Sequence, residues 1–273
     1  MKIKYLGTAA AEGFPAIFCN CDYCRMARKL GGKNIRTRSQ AIINDDLLID
    51  FPADTYYHFL NNNIEGDKIK SLLITHSHED HLYTDDFKMR CGAFSHNMRN
   101  EELCVYCGNG AYKKITEAGI TRNQIKLCMM PYFNPQNIGE YTVTALPARH
   151  FDGDGALFYI IQQESNTILY AHDTGYFFDE VFEYINNSKI KFDLISLDCT
   201  NVHIPISDTG THMGLDNIHR VVHKLKEYGS IDKSTKIVIN HFSHNANPLQ
   251  QVLEQRVAEY GYMVSYDGLS IEV

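Results

Sequence analysis

Three imidazoles and a carboxylate stand within six positions of one another at His76, His78, Asp80 and His81, in the stretch THSHEDH that follows the apolar run SLLI. Side chains alternate along an extended backbone, so His76 and His78 point the same way, and a turn after them can aim Asp80 and His81 at a neighbouring point. Nitrogen and oxygen donors of this kind suit borderline divalent ions such as zinc, manganese or iron. A single histidine here would read as a solvated loop residue. Four metal-capable residues at this spacing, directly after a buried strand, read as a metal site.

Other segments end in the same way. VTALPARH stops at His150, ILYAHD at His172 and Asp173, and IVINH at His241, each an apolar strand that finishes on a ligand-type residue. If these strands neighbour SLLI, their ends converge on one edge, where a rigid scaffold can hold a site. Further along, DCTNVHIPISDTGTHMGLDNIHRV contains Asp198, His203 and His212. His212 lies just before an amphipathic pattern starting near Gly214, where a loop could present it as a general acid; the competing reading is a surface or capping histidine. Asp198, at a strand end, could orient His212 or another ligand. Near the chain start, Cys19, Cys21 and Cys24 in FCNCDYC supply three thiolates, one fewer than a closed structural zinc site requires. Cys104 and Cys107 fall on opposite faces of a strand, which suits packing better than metal binding.

The order H-x-H-x-D-H, followed by separate His, Asp and His at strand ends, resembles the metallo-β-lactamase superfamily of binuclear hydrolases over essentially the whole chain. That resemblance implies a four-layer αββα sandwich and two divalent metals, one on His76, His78 and His150, the other on Asp80, His81 and His241, with Asp173 bridging. Asp80 stands where the antibiotic-hydrolysing branch often has another residue, which points to phosphodiesterase or thioester-hydrolase chemistry. The context THMGLDN resembles that of a proton-donating histidine in the phosphodiesterase branches, so His212 is the expected general acid, with Asp80 also counted in the catalytic set. LGTAAAEGFP, C-x-C-x-x-C, IRTRSQA, THSHEDH and the late H-x-x-H further resemble the PhnP-type phosphoribosyl cyclic-phosphate phosphodiesterases. From that branch comes the expectation of an additional structural zinc on Cys19, Cys21, Cys24 and His244, and of a possible homodimer. His172 is left as a supporting residue, and Arg36 and Arg38 read first as solvated or carboxylate-paired arginines, with contact to a phosphate as the alternative.

The elements that must position these residues are legible in outline. MKIKYLGT, SLLITH, LCVYCG, YTVTALPARH, FDLISLDCT and KIVINH read as strands. SQAIINDDLLIDF, ALFYIIQQESNTILYAHDT and YMVSYDGLSIEV read as hairpins turning near Asn44–Asp46, Ser165–Asn166 and Asp267–Gly268. Phe178, Val181, Phe182 and Ile185, and Leu215, Ile218, Val221, Val222 and Leu225, fall at helical spacing. Strand groups with amphipathic helices between them predict an α/β sandwich, sheet on sheet with helices outside. No linker-like tract interrupts the 273 residues, so a single domain over 1–273 is expected.

The formal net charge of −7 gives no support for gripping a nucleic-acid backbone or an anionic membrane. The absence of a secretory-type apolar run and the eight cysteines, too sparse for a disulfide scaffold, lead to a cytoplasmic expectation. Two cations a few ångström apart would make hydroxide available from water near neutral pH and neutralise charge on a substrate oxygen. The leading expectation is therefore a binuclear phosphodiesterase for a small cyclic phosphate, such as a ribose 1,2-cyclic phosphate or a 2′,3′-cyclic nucleotide. Rival expectations are a transfer-RNA 3′-processing endonuclease, for which no long basic arm is visible, a thioester or lactone hydrolase, and a non-catalytic small-anion binder.

Overall fold

The computed structural model describes residues 1–120, 124–151 and 153–273. The first half of the chain contributes β1 (Lys2–Gly7), α1 (Asp22–Leu30), β2 (Gln40–Ile43), β3 (Leu47–Ile49), α2 (Thr55–Asn62), β4 (Ser71–Ile74), β5 (Leu103–Cys107), α3 (Asn109–Glu117) and β6 (Ile125–Met129). The second half contributes β7 (Gln136–Ile138), β8 (Tyr141–Pro147), β9 (Leu157–Gln163), β10 (Asn166–Ala171), α4 (Asp179–Ser188), β11 (Leu194–Asp198), α5 (Leu215–Glu227), β12 (Lys236–Asn240), α6 (Gln250–Val257), β13 (Met263–Val264) and β14 (Ser270–Glu272).

Two seven-stranded sheets result, ordered β14-β1-β2-β3-β4-β5-β6 and β13-β12-β11-β10-β9-β8-β7. Both sheets are mixed: β3 through β6 in the first and β10 through β13 in the second pair in parallel, and the remaining neighbours pair antiparallel. The inner faces share one core that joins Ile3, Ile43, Ile49 and Leu73 of the first sheet to Val143, Tyr159, Ile168 and Val238 of the second. The outer face of the second sheet is covered by Val181 and Phe182 of α4, Ile218, Val221 and Leu225 of α5, and Leu253 and Val257 of α6. Ala111 and Ile115 of α3 and Phe87 cover the first. The architecture is the expected α/β sandwich of helix, sheet, sheet and helix.

The amphipathic spacings at 178–185 and 215–225 become α4 and α5, and two of the three hairpins form as expected. The third does not. β13 pairs in parallel with β12 in the second sheet, whereas β14 pairs antiparallel with β1 in the first, so the Asp267-Gly268 turn passes the chain between sheets. Gly268 has φ +92°, as a left-handed turn position favours. Half-buried Asp267 accepts hydrogen bonds from the Thr8 and Thr37 hydroxyls, fixing that crossing. Among the described residues, no helix is long and apolar enough to cross a membrane.

Candidate metal centre

Strand direction gathers the site. β8, β10, β11 and β12 all run the same way, because β8 and β10 each lie antiparallel to β9 while β10, β11 and β12 are mutually parallel. Their C-terminal ends therefore share one edge, and His150, Asp173, Asp198 and His241 stand there. β4, in the facing sheet, delivers His76 through His81 to the same edge. Asp173 and His241 turn off their strands with φ 49° and 65°, and Asp50, after β3, does likewise at 65°. Left-handed backbone at a non-glycine residue is costly and persists where packing enforces it.

His76, His78 and His150 form one group. His78 Nδ1 lies 3.0 Å from His76 Nε2 and 3.2 Å from His150 Nε2. Donor atoms around a tetrahedral cation at ordinary zinc–nitrogen lengths stand about 3.3 Å apart, so these separations fit an ion among them. A second group comprises Asp80, His81, His241 and Asp173. His81 Nε2 is 2.5 Å from Asp173 Oδ2 and 3.4 Å from Asp80 Oδ2, and His241 Nε2 is 2.9 Å from the same Asp173 oxygen. Despite this proximity, His81 Nε2, His241 Nε2 and Asp173 Oδ2 are buried without a hydrogen-bond partner. Buried polar atoms converging in this way are expensive unless a cation satisfies them, so the residues present fit a metal. Asp173 also approaches the first group, at 4.0 Å from His150 Nε2.

Hydrogen bonds behind the site orient the imidazoles. Asp50 lies 2.7 Å from His81 Nδ1 and accepts from the Thr75 backbone at 2.8 Å, and Thr200 Oγ1 is 2.8 Å from His241 Nδ1. His150 Nδ1 is 3.3 Å from the Thr211 carbonyl. In each case the rear nitrogen is occupied and Nε2 is directed forward, an arrangement that fixes tautomer and ring angle. Burial alone would raise the Asp173 pKa, but His241 and His81 hold it well below the usual carboxylate range. Burial likewise opposes charge on His81, and Asp173, Asp50 and Asp80 overcome it to push its pKa well up.

His212 arrives on the loop before α5. Its Nδ1 is 3.0 Å from Asp198 Oδ2 and 3.5 Å from Asp173 Oδ1, and its ring stacks on His241 at 5.7 Å. Burial would lower its pKa, but the Asp198 charge and hydrogen bond, with Asp173, raise it to about 9. Beside His150 a cavity of about 780 Å³ opens, lined in part by Tyr132, Arg149, Phe151, Phe178 and Thr211.

The three cysteines meet His244. Its Nδ1 is 3.6 Å from Cys24 Sγ and 3.9 Å from Cys21 Sγ, and all four donor atoms, including Cys19 Sγ, lie within 4.8 Å of one another. A tetrahedral ion with zinc–sulfur and zinc–nitrogen lengths gives about 3.6 Å between such atoms, so this group also fits. Against the upward push of burial, hydrogen bonding to His244 and neighbouring groups holds the Cys21 thiol down to about 6, whereas burial pushes Cys24 up to about 12.

The two arginines part ways. Arg36 is buried inside the protein, donating to Thr8 Oγ1, the Ser265 carbonyl and Gln250 Oε1, so it braces the N-terminal loop rather than meeting a phosphate. Arg38 pairs with Asp54 at 3.1 Å beside a cleft lined by Glu79 and Asp80. His172 is fully buried between Ser196 at 2.7 Å and Asn240 at 3.1 Å, and His203 is exposed. Sequence reasoning passed over Asp50, although LLIDF carries the same signal as the other ligand strands: an apolar run stopping on an ionisable residue.

Coenzyme PQQ synthesis protein B from Acinetobacter baylyi is 24% identical over 315 aligned positions covering the whole of both chains. A crystal structure of a diphosphatase of the PhnP family superposes with a TM-score of 0.74 at 20% identity, over 100% of this chain and 97% of that one. Zinc-bound PqqB from Methylobacterium extorquens superposes with a TM-score of 0.76 at 15% identity over the whole of both chains. The family model described as the beta-lactamase superfamily domain matches residues 50–241, from the carboxylate behind His81 to the last histidine of the second group, and the chain belongs to that superfamily of metallo-β-lactamase-fold, metal-dependent hydrolases.

Proposed function

We propose that this hydrolase is a binuclear phosphodiesterase acting on a small cyclic phosphate, with a ribose 1,2-cyclic phosphate or 2′,3′-cyclic nucleotide as the substrate class. In this reading His76, His78 and His150 hold one divalent metal, Asp80, His81 and His241 hold a second, and Asp173 stands between them. Cys19, Cys21, Cys24 and His244 hold a structural zinc. Divalent ions in such a centre supply a water of lowered pKa and neutralise charge at a phosphoryl oxygen.

The observation that carries the reading is His212. Ester cleavage needs a proton for the departing alkoxide, and His212 Nδ1 is taken up by Asp198, leaving Nε2 to carry that proton. Against the downward pull of burial, the Asp198 charge and hydrogen bond raise the His212 pKa, which favours the protonated ring that a general acid needs. A leaving thiolate needs no such help, which favours a phosphodiester over a thioester. The adjoining cavity is sized for a small molecule, and a net charge of −7 favours one over an RNA backbone.

The test pairs metal analysis with a substrate panel of 2′,3′-cyclic nucleotides, linear phosphodiesters, thioesters and lactones. About three metals per chain and selective turnover of a phosphodiester are expected. Turnover of a thioester or lactone with every phosphodiester inert would overturn the assignment.

A further inference from the structure

The outer face of the first sheet is incompletely covered just beyond the metal centre. Residues 84–90 form a seven-residue 3₁₀ helix, longer than such runs usually are, and a loop follows to residue 100. Under this cover lies a cavity of about 280 Å³, lined in part by Leu48, Phe51, Phe59, Leu72, Phe87 and Met98. That is roughly twice the ~150 Å³ apolar cavity that holds benzene. Phe51 and Phe87 stack with centroids 4.5 Å apart and planes 8° from parallel, presenting flat apolar surface. None of the metal-centre residues lines this cavity.

One wall is not apolar. Arg90 lines the cavity, and its Nε is buried with no hydrogen-bond partner, although its terminal NH2 group donates to the Asn100 carbonyl at 2.9 Å. An orphaned buried donor is costly, and an acceptor brought by a ligand would satisfy it. The carboxylates on the same wall do not meet that need: Asp67 is engaged by Arg99 at 2.6 Å, and Asp86 makes no ion pair with Arg90.

We propose that this cavity is a binding site for a small, mostly apolar molecule bearing one hydrogen-bond acceptor, a carbonyl or a carboxylate, that pairs with Arg90. Its body would lie against Phe51, whose N–H donates to the His81 carbonyl and whose carbonyl accepts from the Tyr83 N–H, both at 2.8 Å. The site therefore touches the scaffold of His81 without touching a metal-facing atom. It is independent of the reaction assigned above, because binding can be read with no substrate present.

Phenylacetate and its neutral methyl ketone, phenylacetone, serve as probes, titrated into the full-length metal-loaded protein by calorimetry and by amide NMR. Saturable one-to-one binding is expected, with shifts centred on residues 48–51, 84–90 and 98–103. Met98→Trp, which fills the cavity from its rim, should abolish binding of both probes. Arg90→Gln should weaken phenylacetate at least tenfold, and a comparable loss for phenylacetone would identify the shared acceptor rather than charge as the recognised feature. Circular dichroism checks that each variant is folded, and Arg90→Gln keeps the question decidable if Met98→Trp is not. No saturable binding of either probe, or binding indifferent to both substitutions, would overturn the proposal.

Discussion

The two clusters of metal-type side chains are built on opposite plans. The histidine and aspartate centre draws its members from the ends of four strands in two sheets, and His76, His81, Asp173 and His241 are each no more than 3% exposed. Four of its imidazoles have a separate partner at Nδ1. The cysteine cluster takes three members from one loop and the start of α1, Cys19 and Cys21 are half-buried, and its fourth member sits on a turn more than two hundred residues away. Rigid strand ends with a supporting layer of hydrogen bonds suit chemistry, where a small misplacement costs rate. A loop-borne cluster of thiols suits closure, tying the N-terminal segment to the turn that carries His241 and His244.

That contrast makes predictions, taken in order of their expected effect on turnover. Asp173→Asn should reduce phosphodiester turnover to background and lower the metal content of the centre while leaving the thiolate-held metal, as read by elemental analysis. Retained turnover would break the asymmetry at its root. His212→Gln should lose about 10²–10⁴-fold in kcat with metal content unchanged. The loss should shrink for a p-nitrophenyl ester, whose leaving group needs no proton. Asp50→Asn should weaken metal affinity about 10–100-fold, with activity recovered by excess metal, because Asp50 acts through His81.

Cys21→Ser should do the reverse. One metal per chain is lost and the melting temperature falls by about 2–4 °C for each kcal/mol of lost stability, whereas kcat per loaded centre stays within a few-fold. Full metal content and an unchanged melting temperature would show that the thiols hold nothing.

The smallest effect on turnover comes from a buried histidine outside both clusters. His58, on α2, lies 2.6 Å from Gln40 and 2.6 Å from Thr37, and burial lowers its pKa to about 4 against the opposing charge of Asp54. The unfolded chain takes up this proton near pH 6.5 and the folded one only near 4. His58 therefore contributes stability above pH 6.5 that is lost as pH falls toward 4, at up to about 1.4 kcal/mol per unit. Asp267, pushed up to about 6 by burial, runs the other way and loses stability as pH rises from 3.8 to 6, but it is common to both proteins compared. The melting-temperature gap between wild type and His58→Gln should narrow between about pH 7 and about pH 5.

What was legible in the sequence was what short-range periodicity encodes. THSHEDH announces its chemistry because alternation along an extended backbone is a local rule, and α4 and α5 declare their buried faces by spacing alone. YMVSYDGLSIEV misled for the same reason: Asp-Gly sets a local reversal, but nothing local says that two residues of one arm join β12 while the other arm joins β1. Arg36 misled because a guanidinium in sequence carries no mark of burial, and its partners Gln250 and Ser265 lie more than two hundred residues away. The approach of Asp198 to His212 was anticipated in part, since a strand end and a loop return can be read, although their closure to 3.0 Å cannot.

The cysteine cluster has one further consequence, for the chain before it folds. Three of its four donors fall within six residues, so they remain close together in the denatured ensemble, where His244 is far away. A zinc ion would therefore find a partial thiolate trap in the unfolded protein as well as a complete site in the native one. Affinity for the unfolded state subtracts from the stabilisation that a ligand provides. The zinc-induced rise in melting temperature should thus fall short of what the native affinity alone predicts, and refolding from denaturant in zinc should begin with metal already captured at the N-terminus.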